Sequence, residues 1–169
     1  LGVAHWSNEA RQHTLSAVQD KLRKSHHIVV VGAATAPSDF NREWPRGTSF
    51  IAADGAVGAF PDGIKPVCVV TDLDGAEHLD RAASAGVTLV VHAHGDNQHR
   101  WESLIPQWAK NGQPPLVLTH LTGESYESIY NPGGFTDGDR AVCFLNWLGI
   151  ALHQVELVGF SLAKLRHWS

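Results

Sequence analysis

Cysteine is scarce in this chain, methionine is absent, and basic residues do not outnumber acidic ones. The two cysteines, Cys68 and Cys143, sit in apolar surroundings with no C-x-x-C spacing. That excludes a disulfide framework and reads as two small buried hydrophobes in a reducing interior. Lys and Arg number 13 against 17 Asp and Glu, a formal net charge of −4. A nucleic-acid partner is therefore not expected, since such proteins carry a basic stripe. No apolar run approaches the ~20 residues of a membrane span. Leu1-Gly2-Val3-Ala4-His5-Trp6 does not read as a secretory leader. A cytoplasmic protein without a membrane partner is the expectation. Neither G-x-x-x-x-G-K-[ST] nor G-x-G-x-x-G occurs, so a nucleotide held here needs a different kind of cradle. Methionine is missing even at position 1, so spacings inside the chain carry the reading.

What is present suits a folded α/β unit. At 169 residues with 43% hydrophobic content, residues 1–169 read as one domain, with 1–26 an N-terminal helical extension. Ser7 to Lys24 reads as an amphipathic helix capped by Ser7, with Ala10, Ala17, Val18 and Leu22 as its apolar face. Strands are expected at 27–31, 49–53, 67–70, 87–91, 116–118 and 155–158. Helices are expected at 77–85, 99–110 (despite Pro106) and 138–148. Residues 33–48 read as loop. The strand runs are apolar on both faces, and strands alternate with helices. That pattern implies a mostly parallel sheet of about six strands covered by helices on both sides.

Acidic residues gather where these strands end. Ile51-Ala52-Ala53 runs into Asp54-Gly55, and Val67 to Val70 runs into Thr71-Asp72-Leu73-Asp74-Gly75. Val87 to Val91 runs into His92-Ala93-His94-Gly95-Asp96-Asn97. A glycine-rich loop, Asn131-Pro132-Gly133-Gly134-Phe135-Thr136-Asp137-Gly138-Asp139-Arg140, opens the last helix. Strand ends of a parallel sheet share one edge, where ligands bind. Six carboxylates on one edge repel one another unless cations are bound. The i, i+2 spacing of Asp72 and Asp74 aims both side chains the same way, and magnesium takes one or two carboxylates plus phosphate oxygens. The plain alternative is a turn, since Asp-Gly is a turn dipeptide.

Gly55 and the glycines at 133 and 134 allow close approach of a ligand to backbone. The small residues ahead of the last helix form a cradle of N–H groups. Asp137 and Asp139 would repel a bare phosphate there, so they act through a cation, cap the helix, or accept bonds from a ribose or heterocycle. Arg140 pairs with a phosphate or with the acidic cluster. His92 and His94 also suit zinc. Their run comes within one residue of the H-x-H-x-D-H pattern of metallo-β-lactamases, but the last position is Asn97 and that pattern belongs to a mixed two-sheet sandwich.

Taken together and in order, these four motifs resemble the archaeal 6-hydroxymethyl-7,8-dihydropterin diphosphokinase family, a relative of the thiamine pyrophosphokinases. The match runs from about Val29 to Gly159. The resemblance implies a Rossmann-like sheet of the thiamine pyrophosphokinase catalytic-domain type. It also implies a magnesium-dependent enzyme that moves the terminal diphosphate of ATP onto a pterin hydroxymethyl group, releasing AMP, for methanopterin or folate biosynthesis. It makes Asp72, Asp74 and Asp96 the catalytic metal ligands, Asp96 through water. Asp54 and Gly55 then hold metal or ligand at the first turn. Thr136, Asp137, Asp139 and Arg140 fix nucleotide or acceptor, and Asn97 and Asn131 bond the heterocycle. Related kinases imply a homodimer. The chain departs from the pattern in a short ending after Ser161 and a loosely fitting Thr119-His120-Leu121-Thr122-Gly123. The competing readings are a thiamine pyrophosphokinase, a glycosyltransferase-like relative, a non-catalytic nucleotide-binding module, and a zinc hydrolase built on His92 and His94.

Overall fold

The computed structural model describes residues 7–108, 116–119 and 129–161. The expected helix stop at Asn111-Gly112, residues 120–123 of the polar loop, and the ending 162–169 lie outside the described residues.

Among the described residues seven strands form one sheet, and every described pairing is parallel. They are β1 (His27–Val31), β2 (Thr48–Ala53), β3 (Cys68–Thr71), β4 (Thr88–Ala93), β5 (Leu116–Thr119), β6 (Ile129–Tyr130) and β7 (Val155–Val158). The order across the sheet is β6-β5-β4-β3-β2-β1-β7. The parallel α/β class is as expected, with one strand more than the six anticipated. The addition is β6, two residues paired with Val117 and Leu118 of β5. β4 also runs on through His92 and Ala93, which had read as loop.

Among the described residues four α-helices cover the sheet: α1 (Asn8–Arg23), α2 (Ala76–Ser84), α3 (Gln98–Trp108) and α4 (Asp137–Trp147). Parallel crossovers are right-handed. From β1 to β5 each strand adds to the same side of the last, so those connections share one face. The return from β6 to β7 must cross the other face, and α4 makes it. The buried residues follow this division. On one face Val18 and Leu22 of α1 and Ala141, Phe144 and Leu145 of α4 pack on Ile28, Val30, Ile51, Cys68, Val70, Val90 and Leu116. On the other, Leu79 and Ala82 of α2 lie against Ala52, Val69 and Val91, with Trp101, Leu104 and Trp108 of α3 beside them. Phe40, Phe50, Ala56 and Ala59 cover Val29 and Val31. Burying a side chain such as Phe144 or Leu145 contributes about 1.5–3 kcal/mol each.

The first helix starts where its cap predicts, with Ser7 Oγ accepting the Ala10 N–H at 3.1 Å. Its inward face differs from the expected one. Thr14, Val18 and Leu22 are buried at four-residue spacing, while Ala17 is exposed. Thr14 is at home there because its hydroxyl donates to the Ala10 carbonyl. α3 continues through Pro106 to Trp108. Among the described residues, no helix is long and apolar enough to cross a membrane.

Candidate metal and phosphate site

Strands β2 and β3 are neighbours, so the turns that follow them meet at the carboxyl edge of the sheet. β3 ends at Thr71, and Leu73 follows with φ +79°, a left-handed conformation rare for a branched residue. Its side chain is driven into the core beneath α2 and is 2% exposed. Anchoring Leu73 downward leaves Asp72 and Asp74 on either side of it turned to the edge. The turn is held by the Thr71 hydroxyl oxygen, which accepts the Leu73 N–H at 2.8 Å.

Asp54 opens the turn after β2, also at positive φ, 46°. Its Oδ1 accepts the Thr71 hydroxyl and the Gly75 N–H. A Cβ on Gly75 would stand 2.8 Å from Asp54 Oδ2 and from the Gly55 nitrogen, so only glycine lets the two turns close this far. Thr71 therefore ties the turns together, a role that reading its motif for metal ligands alone does not find.

The third contributor arrives from the opposite face. Residues 131–136 carry the chain from β6 along the sheet edge to α4. That distance is about 14–19 Å at ordinary strand spacing, within the ~20 Å reach of six extended residues. Thr136 caps α4 by accepting the Asp139 N–H, while Asp139 Oδ2 accepts the Thr136 N–H. Asp137, two positions earlier, turns the other way and joins the edge. Donor oxygens of Asp54, Asp72, Asp74 and Asp137 all lie within 4.8 Å of one another, the single such group among the described residues.

Arg140 offsets part of this charge. Its Nη1 donates to Asp137 Oδ1 at 3.0 Å and its Nη2 to the Phe135 carbonyl at 2.6 Å. His94 Nε2 stands 3.6 Å from Asp72 Oδ2 and stacks on His92, with ring centroids 5.3 Å apart. The balance still favours protons. Burial, then the neighbouring Asp74 carboxyl, pushes Asp54 up to about 8. Burial, then Asp72, pushes Asp137 up to about 7. Asp72 is raised by burial and by Asp74. Asp72 Oδ1 is buried without a hydrogen-bond partner. An all-oxygen set with a buried acceptor left over fits a hard divalent cation such as magnesium better than zinc. His92 and His94 stand beside this set without belonging to it.

The other expected site residues fall elsewhere. Asp96 is exposed in the loop between β4 and α3, outside the four-carboxylate group. Asp139 is engaged in the cap. Asn131 Oδ1 accepts the Gly133 N–H at 3.3 Å, next to β6. Asn97 is 2% exposed. Its amide donates to the carbonyls of Asp72, at 2.8 Å, and His92, at 2.7 Å, while its oxygen accepts the His94 N–H. Those bonds lock the loop after β4 onto the loop that carries Asp72. Asn97→Asp replaces both donated bonds by a carboxylate facing two carbonyls. A fall in melting temperature of about 5–10 °C is expected, from a loss of about 2–3 kcal/mol. A thermal melt by circular dichroism checks this, and an unchanged midpoint would mean that the bonds do not matter.

A parallel α/β sheet with four carboxylates at its carboxyl edge, and with no phosphate-binding glycine motif of the usual kinds, defines an α/β protein with an acidic cluster that could hold a hard cation. No protein-family model matches the chain. Three archaeal proteins named 6-hydroxymethyl-7,8-dihydropterin pyrophosphokinase are similar to it. The one from Pyrococcus furiosus is 42% identical over 116 residues, 68% of this chain and 46% of that protein. The one from Methanocaldococcus jannaschii is 41% identical over 97 residues, 56% of this chain and 39% of that protein. The one from Methanothermobacter thermautotrophicus is 32% identical over 164 residues, 92% of this chain and 66% of that protein. The chain belongs to the 6-hydroxymethyl-7,8-dihydropterin pyrophosphokinase family. It spans between about two fifths and two thirds of the length of these relatives.

Proposed function

We propose that this chain carries a magnesium-dependent diphosphate-transfer centre. It would move the terminal diphosphate of ATP onto the hydroxymethyl oxygen of 6-hydroxymethyl-7,8-dihydropterin and release AMP. The supporting observation is the four-carboxylate group at the sheet edge, in a chain whose relatives are named for this reaction. In the reaction, the bond from the hydroxymethyl oxygen to the β-phosphorus forms. The bond from that phosphorus to the oxygen bridging it to the α-phosphorus breaks, and AMP keeps that oxygen. Such chemistry asks for positioning and charge neutralisation rather than a protein nucleophile.

Asp54, Asp72, Asp74 and Asp137 would hold the ion. Magnesium, when bound, offsets the charge on the phosphate oxygens. Arg140 holds Asp137 in place and carries positive charge against the cluster. The hydroxyl proton needs an acceptor. Asp139 is spoken for by the helix cap, whereas Asp96 is exposed one residue from Asn97, which grips the backbone of Asp72. Asp96 is the group we assign to that proton.

The test is AMP release from ATP and magnesium with the pterin, with thiamine, and with no acceptor. AMP together with pterin diphosphate is expected in the first mixture alone. AMP with thiamine alone would move the acceptor assignment to the thiamine kinases. No AMP in any mixture would overturn the transfer reading.

A further inference from the structure

Phe135 is 86% exposed, the most exposed of the large apolar side chains among the described residues. Its backbone is nevertheless pinned. The Phe135 carbonyl accepts Arg140 Nη2, and Nη1 of the same guanidinium holds Asp137. One planar group thus joins Phe135 to the carboxylate cluster. On the preceding side, a Cβ at Gly134 would lie 2.6 Å from the Arg140 nitrogen, and Gly134 takes φ +93°. The loop therefore packs on the helix start too closely for any other residue. On the following side, Thr136 is closed into the capping box. A loop pinned by these bonds holds an aromatic ring out in water beside Asp137 of the acidic group. Among the described residues, the ring takes no part in the hydrophobic clusters.

We infer that the Phe135 ring is the stacking surface for the flat bicyclic heterocycle of the acceptor, an inference that rests on the diphosphate-transfer reading above. Both substrates carry such a ring system, and reach separates them. Phe135 lies two residues from Asp137, at most ~7 Å between their Cα atoms. A single methylene joins the acceptor's ring to the oxygen that attacks the β-phosphorus. The adenine ring is separated from that phosphorus by the α-phosphate and a whole ribose. A surface this close to the carboxylates meets the acceptor ring first. Offset stacking on a phenyl suits an electron-poor heterocycle and tolerates its edge groups. Replacing a stacking aromatic by alanine typically weakens binding of a heterocycle about 5- to 150-fold.

The test compares wild type, Phe135→Ala and Phe135→Trp in the AMP-release assay, varying the pterin at saturating ATP and then ATP at saturating pterin, with a thermal melt of each. Phe135→Ala is expected to raise the KM for the pterin about 10- to 100-fold, leaving the KM for ATP and the melting temperature unchanged. Phe135→Trp is expected to keep the wild-type pterin KM. An unchanged pterin KM in Phe135→Ala overturns the inference. So does a rise confined to ATP, which assigns the ring to adenine, and so does a lowered melting temperature, which assigns it to packing. Titration calorimetry of the pterin into wild type and Phe135→Ala reads the stack without turnover. Absence of turnover in wild type with weaker pterin binding to the variant separates failure of the reaction assignment from failure of this one.

Discussion

Asp72→Asn and Asp74→Asn are each expected to lower diphosphate transfer by about 10²–10³-fold or more, the scale of losing one strong electrostatic contact to a transferring group. The fold should not suffer. Asp72 already lies among carboxylates that raise its pKa, and its Oδ1 has no hydrogen-bond partner to lose. Removing a charge from a repelling group relieves it, so metal-free variants should melt no lower than wild type. A second reading comes from magnesium itself. Wild type should gain several degrees of melting temperature with millimolar magnesium, since a ligand that binds only the folded state stabilises it. The variants should gain little. Asp137→Asn should behave likewise, which distinguishes the observed four-residue group from a set built on Asp96. Near-normal turnover in both Asp72→Asn and Asp74→Asn would remove the cluster from the chemistry.

Metal-free protein should lose stability as the pH rises through neutrality, the reverse of ordinary surface carboxylates. The ordinary aspartate pKa is 3.8, while Asp54 is pushed up to about 8 and Asp137 to about 7. Between those limits the folded state binds protons that the unfolded chain has released, so stability falls with increasing pH. The contribution is complete below about pH 4, declines up to about pH 8 and is flat beyond. Glu156 acts oppositely at the acid end. Arg42 and, after it, His27 hold its carboxyl below the usual range, so its contribution is lost as the pH falls through that lowered pKa. Counting the interacting carboxyls as about one proton gives a loss of about 4 kcal/mol between pH 5 and 8, or about 10 °C in melting temperature. Saturating magnesium should abolish the decline, because a bound cation keeps the same carboxylates charged. A melting series at several pH values, with and without magnesium, checks both limbs. A metal-free profile flat from pH 5 to 8 would show that the cluster is well solvated.

Much of this was legible in the sequence because burial leaves a periodic trace. Continuous apolar runs such as Ile28 to Val31 marked strands covered on both faces, and the Asp72–Asp74 spacing marked two side chains on one side of a turn. β6 left no such trace: two residues ahead of Asn131-Pro132 cannot show a period, and pairing with β5 alone defines them. Strand order was equally hidden, because a strand buried on both faces reads the same beside any neighbour. Asp137 and Asp139 looked like a pair with one role. Two helical steps separate their directions by about 200°, so one reaches the carboxylates and the other caps the helix. Asn97 was expected at the heterocycle, and the structure shows all three of its described side-chain bonds directed to backbone. A buried amide joining two loops has the same one-letter signature as an exposed one.

The return of α4 and β7 across the sheet has a kinetic meaning. β2 to β6 each pair with the strand just before them, so those contacts form with modest loop closure. β7 pairs with β1 more than 120 residues away, in registers such as Ile28 with Val155, and Gln19 and Arg23 of α1 reach the Leu148 carbonyl at the end of α4. Such distant contacts are the slow ones to form. Asp137 rides on that last segment. A chain emerging from the ribosome therefore holds three of the four carboxylates early and gains the fourth only when the sheet is closed at β1. The four-carboxylate group is complete only in the finished sheet, so a cation that needs all four oxygens would find its site only after that closure.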